Sequence, residues 1–400
     1  MVKFLHCADL HLDSPFASKR YLNPTILKDV ENSAYESFKN IIDLALREEV
    51  DFVIISGDLF DQHNRTLKAE VFLKSQFERL QKEQIFVYIV HGNHDPLSDE
   101  IKTKWPENVT VFSNQVETYQ AITKTGETVH LHGFSYEKRE SYENKIDAYP
   151  TNENRNVVHI GVLHGTYSKS EASDRYTEFR LEDLNAKLYH YWALGHIHLR
   201  QQLSDLPEIH YPGNIQGRHF KEQGEKGCLI VEGDHVALKT RFVPTQFIRF
   251  ESATIEAEDI SQQALFELIQ DFKARVRHQG RAFYRLQLNI RGDEMISPQV
   301  LEQLKVLSTE YEENERHFVL IDEWDIRYID IRQKSIIQEF PAELLEQDDV
   351  YERAVKDLYM NPKASKYLES YQQHDRKALV ARAEAIIEAE LKGGQLTDEN

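Results

Sequence analysis

Five short clusters hold most of the side chains that could bind a cation or move a proton. They are Asp9-Leu10-His11, Gly57-Asp58-Leu59-Phe60-Asp61, Gly92-Asn93-His94-Asp95, His164-Gly165 and Gly195-His196-Ile197-His198. A set that mixes carboxylates, imidazoles and an amide oxygen suits Mn, Fe or Zn better than an oxygen-seeking ion such as Ca. Seven candidates (Asp9, His11, Asp58, Asn93, His164, His196 and His198) are too many for one tetrahedral zinc. They fit two ions about 3.5–4 Å apart with one bridging carboxylate, a pair that activates a shared water and neutralises charge on a phosphate's attacking and leaving oxygens. Asp58 is the expected bridge, because it follows a central strand. In Asp9-x-His11 and His196-x-His198 both side chains project the same way on an extended backbone. The chemistry implied is hydrolysis of a phosphoester.

Taken singly, each cluster is weak. Gly-Asp after a strand is ordinary turn chemistry. A lone histidine in an apolar strand, such as His6, His91, His130, His159 or His190, reads as a buried hydrogen-bonded residue or a surface one. Cys7 reads as a small core residue. What distinguishes the five is that each follows a short β-rich run. Such runs occur at 3–7, 52–55, 85–90, 157–163 and 190–194, with another at 228–231. In α/β sheets the loops at the carboxyl ends of strands converge on one place.

Helical periodicity separates the first three runs. Val30, Ala34, Phe38, Ile41, Ile42 and Ala45 recur at three- and four-residue spacing over 28–49, and 66–83 is similar. Alternating strands and helices predict a layered α/β core with partly parallel strands. After about residue 105 the strands crowd together, which predicts a second sheet packed on the first. The expected fold class is therefore α/β, a two-sheet αββα sandwich. Composition changes near Pro244. Strand patterns at 246–255, 283–290 and 318–329 alternate with helical ones at 261–278 and after Ser297, which has Pro298 at the first helical position. The expected domains are a catalytic domain at 1–243, a small α+β domain at 244–332 and a helical region at 333–400. In the last, Leu379, Ala383, Ile387 and Leu391 make one narrow apolar stripe.

Four hundred residues suggest two or three domains. No run of roughly 18 apolar residues occurs, so no membrane partner is expected. The N-terminus has no apolar signal core, and Cys7 and Cys228 cannot build a disulfide framework, so a cytoplasmic location is expected. The net charge is −19, from 48 basic and 67 acidic residues. That speaks against a protein that coats duplexes through a basic face. It does not exclude an enzyme that meets phosphate through bound cations. Of 18 histidines, 15 precede residue 240.

The order D-x-H, G-D-x-x-D, G-N-H-D, H-G, G-H-x-H resembles the calcineurin-like metallophosphoesterase superfamily. The wording FLHCADLHLDSPF, ISGDLFD, VHGNHDP, LGHIH and YPGNIQGRHF is similar to the SbcD-type DNA-repair exonucleases, most closely their YhaO branch. The likeness covers roughly residues 1–230. It implies that Asp9, His11, Asp58 and His198 hold one Mn ion and that Asp58, Asn93, His164 and His196 hold the other, with Mg, Fe or Zn as other candidates. His94 would face the scissile phosphate and protonate the leaving oxygen, and Asp61 would orient it. Archaeal and eukaryotic relatives carry a histidine where Asp61 stands, and relatives commonly have serine where Asn214 stands. Pro212-Gly213-Asn214 is expected to shape the rim of the site, with Arg218 or His219 either contacting phosphate or lying at the surface. The resemblance further implies a capping domain for DNA after Pro244, an SMC-like ABC ATPase partner docking on the C-terminal helices, and homodimerisation. The function it implies is a Mn-dependent DNA nuclease in repair, with 3′-to-5′ exonuclease and single-strand endonuclease activity. Two alternatives stay open: a phosphatase or phosphodiesterase for a small or non-DNA substrate, and a DNA-end-binding scaffold with little activity alone.

Overall fold

The computed structural model describes residues 1–16, 19–61, 65–99, 103–141, 144–168, 176–291, 295–310 and 312–329. The expected helical region at 333–400, with its stripe from Leu379 to Leu391, lies outside them. The described residues form two units by contact. One holds Met1–Ile255, Ser261–Leu288 and Ile296–Ile326; the other draws on Glu256–Ile260 and on the described residues among 289–295 and 327–329. The site lies wholly in the first.

The chain opens with β1 (Val2–Cys7), α1 (Pro24–Glu31), α2 (Ser33–Arg47), β2 (Phe52–Ser56), α3 (Leu67–Lys82), β3 (Phe86–Val90) and β4 (Val109–Val111). The single helix expected over 28–49 is two. Asn32 ends α1, its amide donating to the Lys28 carbonyl, and α2 begins at the next residue. Pro24 starts α1 with Asn23 as its cap, and Thr66 caps α3 by accepting from Ala69 N. Then come β5 (Glu117–Ile122), β6 (Thr128–Gly133), β7 (Val158–His164), β8 (Thr166–Tyr167), β9 (Glu178–Phe179), α4 (Leu181–Asn185), β10 (Tyr191–Gly195), β11 (Gln201–Asp205) and β12 (Glu208–Tyr211). The last elements are β13 (Gly227–Gly233), β14 (Leu238–Pro244), β15 (Ile248–Ala257), α5 (Gln262–Arg277), β16 (Arg281–Ile290), α6 (Pro298–Thr309) and β17 (Val319–Tyr328).

The first sheet has the order β14-β13-β1-β2-β3-β4 and the second β11-β12-β10-β7-β6-β5. A second sheet does follow residue 105, but not every later strand joins it. β4 pairs parallel to β3, while β13 returns to pair antiparallel with β1 and brings β14 beside it. β1 is flanked by β13 and β2, and near its start the Lys3 amide donates to Asp51 Oδ2 at 2.8 Å.

Strand parity sorts the cores. Phe4, Phe52, Ile54 and Val90 of the first sheet meet Val129, Leu131, Ile160, Val162 and Tyr191 of the second. The alternate residues Leu5, Val53, Ile55 and Val87 pack on Phe38, Ile41, Ile42, Leu73 and Phe77 of α2 and α3. Phe134, Tyr149, Trp192 and Leu194 cover the outer face of the second sheet. The strands β15, β16 and β17 form a small sheet of their own. Its Phe250, Phe283 and Phe318 pack with Phe220 and with Ile26 and Val30 of α1. Lys19 sits 4.7 Å above the Phe283 ring and pairs with Asp322, and Arg281 pairs with Asp29 at 2.9 Å. Among the described residues no helix is long and apolar enough to cross a membrane.

His6 lies between the two sheets. Its ring contacts Tyr191 Oη at 3.0 Å, Leu194 O at 3.1 Å and Ser56 Oγ at 3.1 Å, and it is fully buried. Cys7 and Cys228 are buried and free. Burial, helped by His210, pushes His6 from 6.5 down to about 3. The unfolded chain therefore binds a proton there that the folded chain refuses. The stability His6 contributes is complete above pH 6.5 and drains away as pH falls toward 3. Urea unfolding in the presence of chelator should show stability declining below pH 6.5, with a slope reduced by about one proton in His6→Gln. An unchanged slope would show that His6 titrates normally.

Candidate metal centre

Asp9 and His11 follow β1, Asp58 follows β2, Asn93 and His94 follow β3, His164 ends β7, and His196 and His198 follow β10. All are carboxyl ends of parallel strands. Backbone bonds knit these loops together: Asp9 N donates to Gly57 O and His11 N to Asp58 O. Asp95 acts as a brace between two loops. Its carboxylate accepts from Leu59 N and from Gly92 N, each at 2.8 Å, with His91 Nδ1 3.2 Å away.

The site is close-packed and strained. Asp9, His11, Asp58 and His196 all have positive φ, at 52°, 42°, 53° and 103°. Such conformations cost non-glycine residues about 1–3 kcal/mol each and persist only where the surroundings impose them. Two motif glycines are required by contact. A Cβ on Gly92 would lie 2.3 Å from Asp58 Oδ1, and one on Gly57 2.3 Å from His164 Nδ1.

Hydrogen bonding fixes which ring nitrogens are lone pairs. His164 Nδ1 lies 2.9 Å from the Ser56 carbonyl, which can only accept, so Nδ1 carries the hydrogen. His164 Nε2 then points its lone pair at Asn93 Oδ1, 3.0 Å away, and at Asp58 Oδ2, 3.4 Å away. His196 Nδ1 is 3.1 Å from the same Asn93 oxygen. In the same way, His198 Nδ1 donates to Glu222 Oε1 at 2.7 Å. Its Nε2 faces His11 Nε2 at 3.0 Å, and His11 Nε2 lies 3.9 Å from Asp58 Oδ2. His11 Nδ1 is buried without a hydrogen-bond partner among the described residues. Buried acceptors thus converge at two points that share Asp58, an arrangement that calls for positive charge at each.

The electrostatics agree. Burial alone would lower the basicity of His164, but Asp58 and Asp9 raise it to about 9. Burial opposes ionisation of Asp58, yet His164, His11 and His94 hold its carboxyl well below the usual range. Burial lifts Asp9 to about 6, partly offset by His198 and His164. Burial also keeps His11 far below its ordinary value. Ligand nitrogens and oxygens of Asp9, His11 and His198 lie within 4.8 Å of one another, as do those of Asp58, His164 and His196. The donor set therefore fits two cations.

His94 lies at the mouth. Its backbone N–H donates to Asp58 Oδ1, and its Nδ1 is 3.5 Å from Asp61 Oδ1. Burial would lower its pKa, but Asp61 and Asp58 outweigh that and raise it. It also comes within reach of a cation shared with His11 and Asp58. Asp61 accepts from Ser14 Oγ, which in turn accepts from Arg218 Nη1 at 3.2 Å. Arg218 also bonds Glu222, at 2.8 Å from the backbone N and 3.2 Å from Nη2, and its Nη2 lies 3.2 Å from His198 Nδ1. His219 projects outward beside Glu222. Asn214 shapes the rim through its backbone, donating to His198 O and bridging to Ala8.

Glu222 is the residue that sequence reasoning missed. It is buried, lies beyond the last motif in a short 3-10 turn, and holds the ring of His198. Burial disfavours its charge, but His198 and Arg218 hold it ionised. Its only sequence signal was a glutamate four residues after Arg218.

Two stacked sheets with acidic and imidazole ligands at their joint carboxyl ends define a phosphoesterase of the metal-dependent kind. The calcineurin-like phosphoesterase model matches residues 2–200. The chain is 36% identical over 403 residues to YhaO, a metallophosphoesterase of Bacillus subtilis (strain 168), covering 97% of this chain and 98% of that one. It is 24% identical to the DNA double-strand break repair protein Mre11 of Archaeoglobus fulgidus over 100% of this chain and 93% of the relative. It is 30% identical to the protein of that name from Methanocaldococcus jannaschii over 49% and 51%. The chain belongs to the calcineurin-like phosphoesterase family, whose fold uses a dinuclear metal site, and it is a phosphoester hydrolase.

An orienting carboxylate behind a metal-ligating histidine typically contributes 10–100-fold, roughly, in metal affinity. Glu222→Gln should weaken cation binding by about that factor while leaving the far-ultraviolet spectrum unchanged, as read by calorimetric titration with Mn. Equal affinity would show that His198 is not held as a ligand.

Proposed function

We propose that this chain is a Mn-dependent DNA nuclease that hydrolyses phosphodiester bonds as a 3′-to-5′ exonuclease with single-strand endonuclease activity. One observation carries the proposal: two convergent acceptor clusters share a buried Asp58, with a protonatable His94 at their mouth, in a chain that matches a DNA-repair relative over its full length. The elements after Pro244 support a polymeric substrate, since a centre acting on small esters has no need of an added sheet and two helices.

Asp9, His11, Asp58 and His198 would hold one cation, and Asp58, Asn93, His164 and His196 the other. Bound there, the pair supplies Lewis acidity to the phosphate ester and to the attacking water. Against burial, Asp61 and Asp58 favour the protonated ring of His94, which is the donor to the departing oxygen. Asp61 orients that ring, and Ser14 and Arg218 fix Asp61 in turn. Glu222 and Ser56 hold His198 and His164 with their lone pairs inward.

The net charge of −19 favours a second reading, hydrolysis of a small or non-DNA phosphoester. Comparing DNA, bis-p-nitrophenyl phosphate and p-nitrophenyl phosphate as substrates separates the two. With Mn, wild type should degrade DNA; Asp58→Asn should lose most turnover together with bound metal. His94→Asn should retain metal and lose roughly 10²–10⁴-fold in kcat. Intact DNA with wild type, or wild-type turnover in His94→Asn, ends the nuclease assignment.

The same proposal includes an SMC-like ABC ATPase partner docked on residues 333–400, and a homodimer. Truncation after residue 340 should abolish capture of that ATPase in a pull-down while hydrolysis persists. Retained capture would remove the docking role.

A further inference from the structure

Not all the histidines belong to the dinuclear pocket. On β6 and β7 the residues of one parity, including Val129, Leu131, Ile160 and Val162, face the first sheet. His130, His132 and His159 have the other parity, so they stand on the outer face of the second sheet. The register pairs His130 with His159 directly, and His132 is two residues along the same strand. His164 shares β7 but faces inward, about 16 Å further along at ~3.3 Å per residue.

We propose that His130, His132 and His159 form a separate Zn2+ site that clamps β6 to β7. One nitrogen from each ring lies within 4.8 Å of the others. His132 Nε2 and His159 Nδ1 are 3.0 Å apart. Zn–N bonds of about 2.0–2.1 Å in tetrahedral geometry place ligand nitrogens roughly 3.3–3.4 Å apart. The pair is thus near that spacing, and the half-buried His130 reaches it by rotating its ring. Thr118 Oγ1 sits 2.8 Å from His132 Nδ1 and can accept its N–H, leaving Nε2 for the metal, while the Gln120 amide, 3.2 Å from His130 Nε2, would orient that ring with its oxygen turned toward it. His159 is buried, and its Nε2 has no hydrogen-bond partner among the described residues.

The ligand chemistry selects the ion. Three imidazoles without a carboxylate suit a borderline cation and not Mg, Ca or Mn. Burial, reinforced by the neighbouring imidazoles, lowers His132 to about 3 and His159 to about 4, so both present neutral rings at pH 7. Three protein ligands leave the fourth position to water.

The test uses the full chain, stripped by chelator, desalted, reloaded with Zn2+ and passed through gel filtration before metal analysis. Wild type should retain one Zn more per chain than the double variant His130→Gln/His159→Gln. Zn2+ should raise the melting temperature of wild type by a few degrees more than that of the variant. Mn-supported hydrolysis should be equal in the two, since neither residue belongs to the dinuclear pocket. Should the double variant fail to fold, His130→Gln alone, altered at a half-exposed position, carries the comparison and should bind the extra Zn at least tenfold more weakly. Equal Zn content and equal melting shifts would overturn the proposal. Loss of the extra Zn in a chain that never degrades DNA would uphold this site and sink the nuclease assignment instead.

Discussion

The site depends on an electrostatic imbalance that the protein chain alone leaves unresolved. Asp58 Oδ2, Asn93 Oδ1, His164 Nε2 and His11 Nε2 crowd within hydrogen-bonding or ion-pair distance on buried residues, and the Ser56 carbonyl behind His164 turns that ring's lone pair inward. A protein interior does not tolerate facing acceptors without charge between them. Against burial, the carboxylates of Asp58 and Asp9 answer part of that demand by raising the basicity of His164. Two cations answer the same demand with more charge and more ligands. The shift of His164 and the fitness of the pocket for metal are one physical fact.

Holding that imbalance requires a scaffold. Four ligand-bearing residues sit at positive φ, and together they represent several kcal/mol of backbone strain. The two sheets offset it with a continuous apolar layer between them and a second layer under α2 and α3. The motif glycines follow from the same crowding, because Asp58 and His164 occupy the space a side chain would need. Asp95 belongs to the GNHD wording for a related reason. It reacts with nothing, yet it pins Leu59 and Gly92, so the loops carrying Asp58 and Asn93 keep their spacing.

Chemistry written into residue type and strand-end position was legible from the amino-acid order. Asp9, His11, Asp58, Asn93, His94, His164, His196 and His198 do meet, because each lies where a parallel strand must stop. Features set by pairing between distant segments were not legible. The return of β13 and β14 to the first sheet depends on a partner more than 200 residues earlier, and no local pattern encodes it. Glu222 lies in a short turn with no hydrophobic period to mark its burial. Asn32 breaks a helix whose apolar spacing runs straight across it, since a cap acts through one side-chain hydrogen bond and leaves periodicity untouched. His130 and His159, read singly, were ordinary strand histidines; only the register makes them neighbours.

The acidity of the chain can be reconciled with a phosphodiester substrate by asking where its cations point. Arg218 is committed to Glu222 and Ser14, and Lys226 donates to the His198 carbonyl at 2.9 Å. Lys19 is enclosed by phenylalanines and paired with Asp322. Arg218 and Lys226 orient the pocket and Lys19 packs on the small sheet, and none of the three is displayed as a basic face. Positive charge for phosphate would then come from the two bound ions, concentrated at the point of reaction, while the negative surface disfavours adhesion elsewhere. Under the proposed function, affinity for the polymer beyond the reacting phosphate must be supplied by other means: the added strands and helices, or a partner. The charge of −19, which by itself leans toward a small substrate, is then compatible with the proposed nuclease only as one that acts at a site without coating its substrate.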